Sequence, residues 1–255
     1  MIPSYVNLDN KYVYKISIRK FAVSVACLPL FSFIFCVLWC LLFNFEESTS
    51  THCHVANYLP SISAAIGSFQ PQKFVWQTSI CLHFLPRLLV ARLYFQFYEE
   101  TIRLNRRRIA RVAVFLNVIE NFALMGLTLW TSSMAEYEVH KFCFISFIIT
   151  SDVYMILSYV VNKNFKKFSE INELDRISLK CKKYLMITNI ISICIASLFF
   201  LRHNQYCRPM DYTLFAFFEY IVVLTNIGYH LTVYWDFHGR SIVFDWGKGF
   251  YTTHQ

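Results

Sequence analysis

The chain has 255 residues, of which 56% are hydrophobic and 18% aromatic, with six glycines and a formal charge of +8. Six apolar stretches hold most of that hydrophobicity, which excludes an ordinary soluble domain. The positive charge calls for no nucleic-acid partner, because loop Lys and Arg of a membrane protein sit against an anionic leaflet.

A basic head with Lys11, Lys15, Arg19 and Lys20 leads into the first stretch, 21–45. It is too long for a signal-peptide core and lacks a convincing cleavage site, so it is expected to stay as a signal anchor. A loop over 46–72 without Lys or Arg precedes the second stretch, 74–95. The next loop carries Arg103, Arg106, Arg107, Arg108 and Arg111, packed between two spans rather than on a nucleic-acid-binding domain. Stretches 112–131 and 142–161 flank a loop whose nearest cation is Lys141. The following loop is rich in cations: Lys163, Lys166, Lys167, Arg176, Lys180, Lys182 and Lys183. Stretches 184–201 and 212–235 complete the series, with Arg202 and Arg208 the exceptions to the alternation.

Each stretch is long enough to cross roughly 30 Å of hydrocarbon at about 1.5 Å per residue. The alternation of Lys and Arg places both termini in the cytosol and the first, third and fifth loops in the lumen or exterior. The expected fold is all-α: a polytopic membrane bundle of six transmembrane helices, residues 1–255 forming one membrane domain with no soluble domain and no internal repeat.

Of nine cysteines, Cys53 and Cys207 alone fall in the expected luminal loops. They share an oxidising compartment if the protein enters the secretory pathway, which makes a disulfide the leading reading. Free thiols are one alternative. A metal site drawing on His52, His54 and His203 is another, although the zinc-type spacing is missing and no metal is expected.

Ionisable groups in hydrocarbon are costly and turn toward a bundle interior or a cavity. His83 and Arg87 are four apart and share a helical face, while Arg92 lies near enough to the cytosol to snorkel. Asn117, Glu120 and Asn121 form a second polar face; Glu219, Asn226 and His230 form a third. Asp152 is the lone acid of the fourth span. An unpartnered buried charge is unfavourable, so Arg87 with Glu120 is the first pairing to draw. For any one of these residues interhelical hydrogen bonding, worth roughly 0.6 to 2 kcal/mol each, is the leading account. Taken together they suit a polar cavity open to a lipid headgroup or an ion.

Common catalytic signatures are missing: no nucleophile elbow, zinc helix, phosphate loop or dinucleotide fingerprint, and hence no expected cofactor. Asp236 follows His230 by six positions, one more than the glycerolipid-acyltransferase pattern.

Several segments carry a resemblance. Thr51-His52-Cys53, then Asn57-Tyr58-Leu59-Pro60-Ser61 and Ala65-Ile66-Gly67, resemble the first luminal loop of the post-GPI-attachment-to-proteins factor two family, in the FRAG/DRAM/SFK group. Leu116-Asn117-Val118-Ile119-Glu120-Asn121 is similar to its third span. Arg202-His203-Asn204-Gln205-Tyr206-Cys207 is similar to its last luminal loop. Phe218-Glu219-Tyr220, Asn226 and Trp235-Asp236-Phe237 resemble its final span. The likeness runs from the first span to about Phe237 and gives no support to Asp152.

The resemblance implies fatty-acid remodelling of glycosylphosphatidylinositol (GPI) anchors in the Golgi, with the endoplasmic reticulum as a second location: a saturated chain is returned to lyso-GPI. The implied partners are membrane lipid and GPI-anchored proteins in their lyso form; the acyl donor is not implied. As an acyltransferase the chain would use a histidine with an acid to deprotonate the lyso-lipid hydroxyl, for which His203, His230, Glu120 and Glu219 are the candidates. Arg87, Arg202 and Asn204 suit a phosphate or a polarised carbonyl, with His83, Asn121 and Asn226 completing the binding set. A non-catalytic lyso-GPI presenter and a lipid transporter are the competing readings; the broken helices and inverted repeats of transporters are not evident.

Overall fold

The structure is a computed structural model describing residues 4–8, 11–132, 137–166, 172–246 and 249–254; Lys167 and Gln255 lie outside the described residues. Two strands open the chain, β1 (Ser4–Leu8) and β2 (Lys11–Ser17), followed without a break by helix α1 (Ile18–Phe43). Short helices α2 (Phe45–Thr49) and α3 (Ile62–Gly67) occupy the first long loop. Helices α4 (Gln72–Thr101) and α5 (Arg107–Leu129) are joined through a 3₁₀ turn at Leu104–Arg106. Then come α6 (Tyr137–Asn164), α7 (Glu173–Tyr206), α8 (Asp211–Leu231) and the one-turn α9 (Val233–Asp236). Strands β3 (Arg240–Asp245) and β4 (Gly249–His254) close the chain.

Among the described residues six helices are long and apolar enough to cross a membrane, one at each stretch expected from the sequence. Their outer faces carry large apolar side chains: Phe31, Leu42, Phe74, Leu85, Phe115 and Phe142 are all more than 60% exposed. Asn117, Glu120, Asn121 and Asn189 are turned inward and buried. That inside-out distribution fits lipid as the solvent, where polar groups gain by meeting one another.

The helices run past the expected spans. The fifth, expected over 184–201, is a 34-residue helix. At 1.5 Å per residue it is about 51 Å long, well beyond the hydrocarbon, so the cations of the preceding loop ride on its first turns. Helices α5 and α6 approach closely at Gly126, where an added Cβ would lie 2.5 Å from Cys143 Sγ.

The strands are not legible from the sequence. They form a four-stranded antiparallel sheet in the order β1-β2-β3-β4, pairing the two ends of the chain: Ser17 lies opposite Ser241 and Tyr14 opposite Phe244. The bundle brings the ends together, since β2 enters α1 and β3 leaves α9 on the same side of it. Ile18, Leu93, Tyr94, Phe97, Phe237 and Ile242 form the apolar core beneath the sheet. A second core, around Cys36, Cys40, Ile62, Ala65, Trp76 and Ile80, lies at the opposite end under α3.

Candidate functional site

Midway through the bundle the three polar stripes face one another. From α4, Arg87 donates to Asn117 Oδ1 at 3.2 Å and lies 3.6 Å from Glu120 Oε2, so the pairing drawn from the sequence is present. From α8, His230 Nε2 is 2.9 Å from Glu120 Oε1 and 3.0 Å from the Arg87 guanidinium. One nitrogen cannot serve both at once: with its proton it donates to the carboxylate, without it it accepts from the guanidinium. Asn226 donates to Glu120 Oε1 at 2.9 Å and to Ser151 Oγ at 2.7 Å, and Tyr154 stacks on His230 with ring centroids 5.3 Å apart. Glu120 is only 1% exposed, yet its Oε2 has no hydrogen-bond partner among the described residues, and neither has Arg87 Nε.

The remaining stripe residues are fixed by backbone. His83 Nδ1 lies 2.8 Å from the Val25 carbonyl, which can only accept, so Nδ1 carries the proton and Nε2 keeps its lone pair. Asn121 donates to the Phe84 carbonyl at 3.1 Å, tying α5 to α4.

This cluster lines a cavity of about 460 Å³, within the usual range of small-ligand sites. Arg87, Glu120, His230, His83, Asn121 and Asn226 form its polar part, and its walls are otherwise largely apolar, with Leu127, Phe144, Ile148 and Val223 among them. Toward the end carrying α3 it meets a second space of about 530 Å³, whose lining includes Ser48, Ser50, Ser61, Ser68 and Lys141. Ser63, His140 and Glu219 line both. Glu219 therefore stands at the mouth, apart from the other two polar residues of its own stripe, and its Oε2 accepts the Ile62 amide at 2.9 Å.

The loops at this end are tied together. Cys53 and Cys207 are disulfide-bonded, with Cα atoms 5.3 Å apart. Thr213 donates to Asn57 Oδ1 at 2.7 Å and accepts from the Tyr58 amide at 2.9 Å, seating the first loop on α8. His52 stands beside both sulfurs, but sulfurs joined to each other cannot supply the thiolates a metal needs. His203 is fully buried between His52 and Tyr212, with ring centroids 5.4 and 4.9 Å away. Arg202 pairs with Asp211 at 3.3 Å, and Asn204 is exposed. None of these three lines either cavity.

Two pairings escape the sequence, and one acid that it singles out stays outside the cluster. Ser63 Oγ and His140 Nε2 are 3.1 Å apart across 77 residues of chain, a separation that no local spacing signals. Asp152, singled out as a lone acid, lies beside Ser151 but leaves the Glu120 bond to Asn226 and His230. Lys182, read as a loop cation, is 1% exposed and buried against Asp236, with Nζ and Oδ2 2.5 Å apart.

A family model described as the Frag1/DRAM/Sfk1/Cwh43P N-terminal domain matches residues 18–240. The protein named Post-GPI attachment to proteins factor 2 of Drosophila pseudoobscura pseudoobscura is 46% identical over 99% of this chain and 99% of its own length. Its namesake in Drosophila melanogaster is 44% identical at the same coverage. Acyltransferase PGAP2 of Xenopus tropicalis is 40% identical over 95% of this chain and 96% of its own. No solved structure matches. With the family match spanning α1 to the start of β3, and relatives this similar from end to end, the chain belongs to the post-GPI attachment to proteins factor 2 family of the Frag1/DRAM/Sfk1 group.

Proposed function

We propose that the protein remodels the lipid of GPI anchors, returning a saturated acyl chain to lyso-GPI in Golgi membranes. The observation that carries this reading is the pairing of a largely apolar cavity, lined in its polar part by Arg87, Glu120 and His230, with a serine-lined space at its mouth. A lipid has the same two-part chemistry. The serine hydroxyls and Lys141 suit a polyol phosphate headgroup, and the apolar walls suit acyl chains. The names of the relatives, which refer to GPI attachment and to acyl transfer, point the same way.

Within the cavity Glu120 and His230 share a hydrogen bond and can take a proton from a lipid hydroxyl or return one, while Arg87 offers N–H groups to anionic oxygens. Glu219 holds the mouth in shape through Ile62, and Arg202, His203 and Asn204 lie in the last turns of α7, just before the disulfide at Cys207. The cation-rich loops lie at the sheet end, so the positive-inside rule puts both termini in the cytosol and the disulfide in the lumen, where oxidation is favoured. Protease added to sealed Golgi vesicles should therefore remove a tag at Gln255.

Reconstitution of the purified protein with lyso-GPI and an acyl donor tests the activity. Formation of diacyl GPI is the expected result. Binding without turnover would make the protein a lyso-GPI presenter for another enzyme, and lipid flux without chemistry would make it a transporter.

A further inference from the structure

Ser63 and His140 take no part in the ionic cluster, yet they stand at the boundary shared by the apolar cavity and the serine-lined space. His140 reaches this point from the first turn of α6, with Nδ1 2.8 Å from the Trp130 carbonyl and Nε2 3.1 Å from Ser63 Oγ. The carbonyl can only accept, so in the neutral ring Nδ1 carries the proton and Nε2 presents its lone pair to the Ser63 hydroxyl. Nucleophile, base and a third group that fixes the base's tautomer are the parts of an activated serine, with a backbone carbonyl in the place more often taken by a carboxylate.

The support beneath the serine is rigid. Ser61 caps α3 by accepting from the Ala64 amide, Glu219 holds the Ile62 amide, and Tyr220 donates to the Pro60 carbonyl at 2.6 Å. His140 is 7% exposed and so shielded, whereas Ser63 is half-buried and can be approached. An ester joining a headgroup in the serine-lined space to a chain in the cavity would cross the boundary at this hydroxyl.

We propose that Ser63 and His140 are an acyl-transfer dyad that carries the chain as a covalent ester. Ser63 Oγ attacks the carbonyl of an oxygen ester or a thioester while its proton passes to His140 Nε2. The C–O or C–S bond breaks, the leaving alcohol or thiol takes the proton from Nε2, and the acyl group remains on Ser63. A lyso-lipid hydroxyl then loses its proton to Nε2 and attacks the serine ester; Ser63 Oγ departs and recovers that proton. The proposal rests on the acyl-transfer reading above, gives it a covalent intermediate, and moves the proton transfers from the Glu120–His230 pair to His140, so that Arg87, Glu120 and His230 instead hold and orient the polar groups that descend into the cavity.

The full-length protein in nanodiscs is treated with a long-chain alkyl fluorophosphonate and, separately, with acyl-labelled phosphatidylcholine or palmitoyl-coenzyme A, and Ser63 is examined by peptide mass spectrometry. An adduct on Ser63 is expected with the fluorophosphonate and with one acyl donor, which identifies the source of the chain. Ser63→Ala should abolish it, and His140→Gln should slow it on the order of 100-fold while the Cys53–Cys207 bond stays intact. Ser63→Cys, which keeps a nucleophile, should still be acylated by the donor that labels the wild type, as a thioester. A wild-type protein left unlabelled at Ser63 overturns the proposal, and so does folded Ser63→Ala that acylates lyso-GPI at the wild-type rate, a result that leaves the acyl-transfer reading standing. Conversely, a wild-type protein acylated on Ser63 that never passes the chain to lyso-GPI keeps the dyad and sinks the wider function.

Discussion

Among the described residues, two pairs of a buried Lys or Arg with a buried carboxylate cross this bundle, and their surroundings differ. At the sheet end, Lys182 spends all three of its protons on Ser178, Thr232 and Asp236, and Asp236 receives further hydrogen bonds from Ser178 at 2.5 Å and Tyr94 at 2.6 Å. At mid-depth, Arg87 and Glu120 approach only to 3.6 Å, each keeps a buried polar atom without a hydrogen bond among the described residues, and the His230 nitrogen is shared between them. The first network is saturated, and neither of its charged residues lines the cavities described above; the second faces open space. A saturated buried network fixes how helices meet, here α7, α9 and α4. An undersaturated one beside a cavity is a place where a ligand can complete the hydrogen bonding.

Breaking the saturated pair should have the largest effect on stability. Lys182→Ala strands the Asp236 carboxylate and is expected to cost about 3–5 kcal/mol, whereas Lys182→Met combined with Asp236→Leu should recover most of it. Thermal unfolding in detergent compares the two, and a single variant as stable as the wild type would show that this network is no clasp. Cys53→Ser comes next. Opening a bridge between residues 154 apart should cost about 2–4 kcal/mol and shift mobility on a non-reducing gel, while unchanged mobility on reducing the wild type would deny the bond. Glu120→Gln keeps the shape of the mid-depth cluster and removes its charge. It leaves the buried Arg87 short of its counter-charge and should cost about 1.5–3 kcal/mol, and it should lower lyso-GPI remodelling on the order of 100-fold, read as lyso-GPI accumulation and loss of GPI-anchored proteins from the cell surface. Normal remodelling by folded Glu120→Gln would return the stripes to interhelical packing.

The mid-depth cluster is more legible in the sequence than the clasp, for physical reasons. Ionisable residues inside an apolar stretch stand out against it, and i, i+3 and i+4 spacing shows which of them share a face, so the convergence of Arg87, Glu120 and His230 follows from spacing and the cost of an unpaired charge. Lys182 lies among six other loop cations, and only the length of α7 reveals that it turns inward. His203 stands out in the sequence as a catalytic candidate beside Cys207; its depth of burial depends on packing against His52 and Tyr212, which spacing does not encode. The sheet depends on pairings such as Ser17 with Ser241, too distant in the chain for local periodicity to show. Ser63 and His140 carry no mark as a pair: each lies outside the expected spans, and their hydrogen bond exists only once α3 is seated against α6.

The smallest effect gives the sharpest contrast, because it compares one residue type in both settings. Asn189 on α7 donates to the Val222 carbonyl at 2.9 Å and to Thr225 Oγ1 at 2.8 Å, holding α7 to α8 by hydrogen bonds remote from the ionic cluster. Asn226, on the neighbouring helix, makes two hydrogen bonds of similar length, but one of them ends on Glu120. Replacing either by Ala removes two interhelical hydrogen bonds and should cost a similar roughly 0.6–2 kcal/mol. Function should separate them: Asn189→Ala keeps the Glu120 environment and should remodel normally, while Asn226→Ala frees Glu120 Oε1 to bind His230 alone and should slow remodelling. Equal melting temperatures with unequal lyso-GPI accumulation would assign the difference to the cluster, and equal loss in both variants would mean that helix packing alone accounts for the polar stripes.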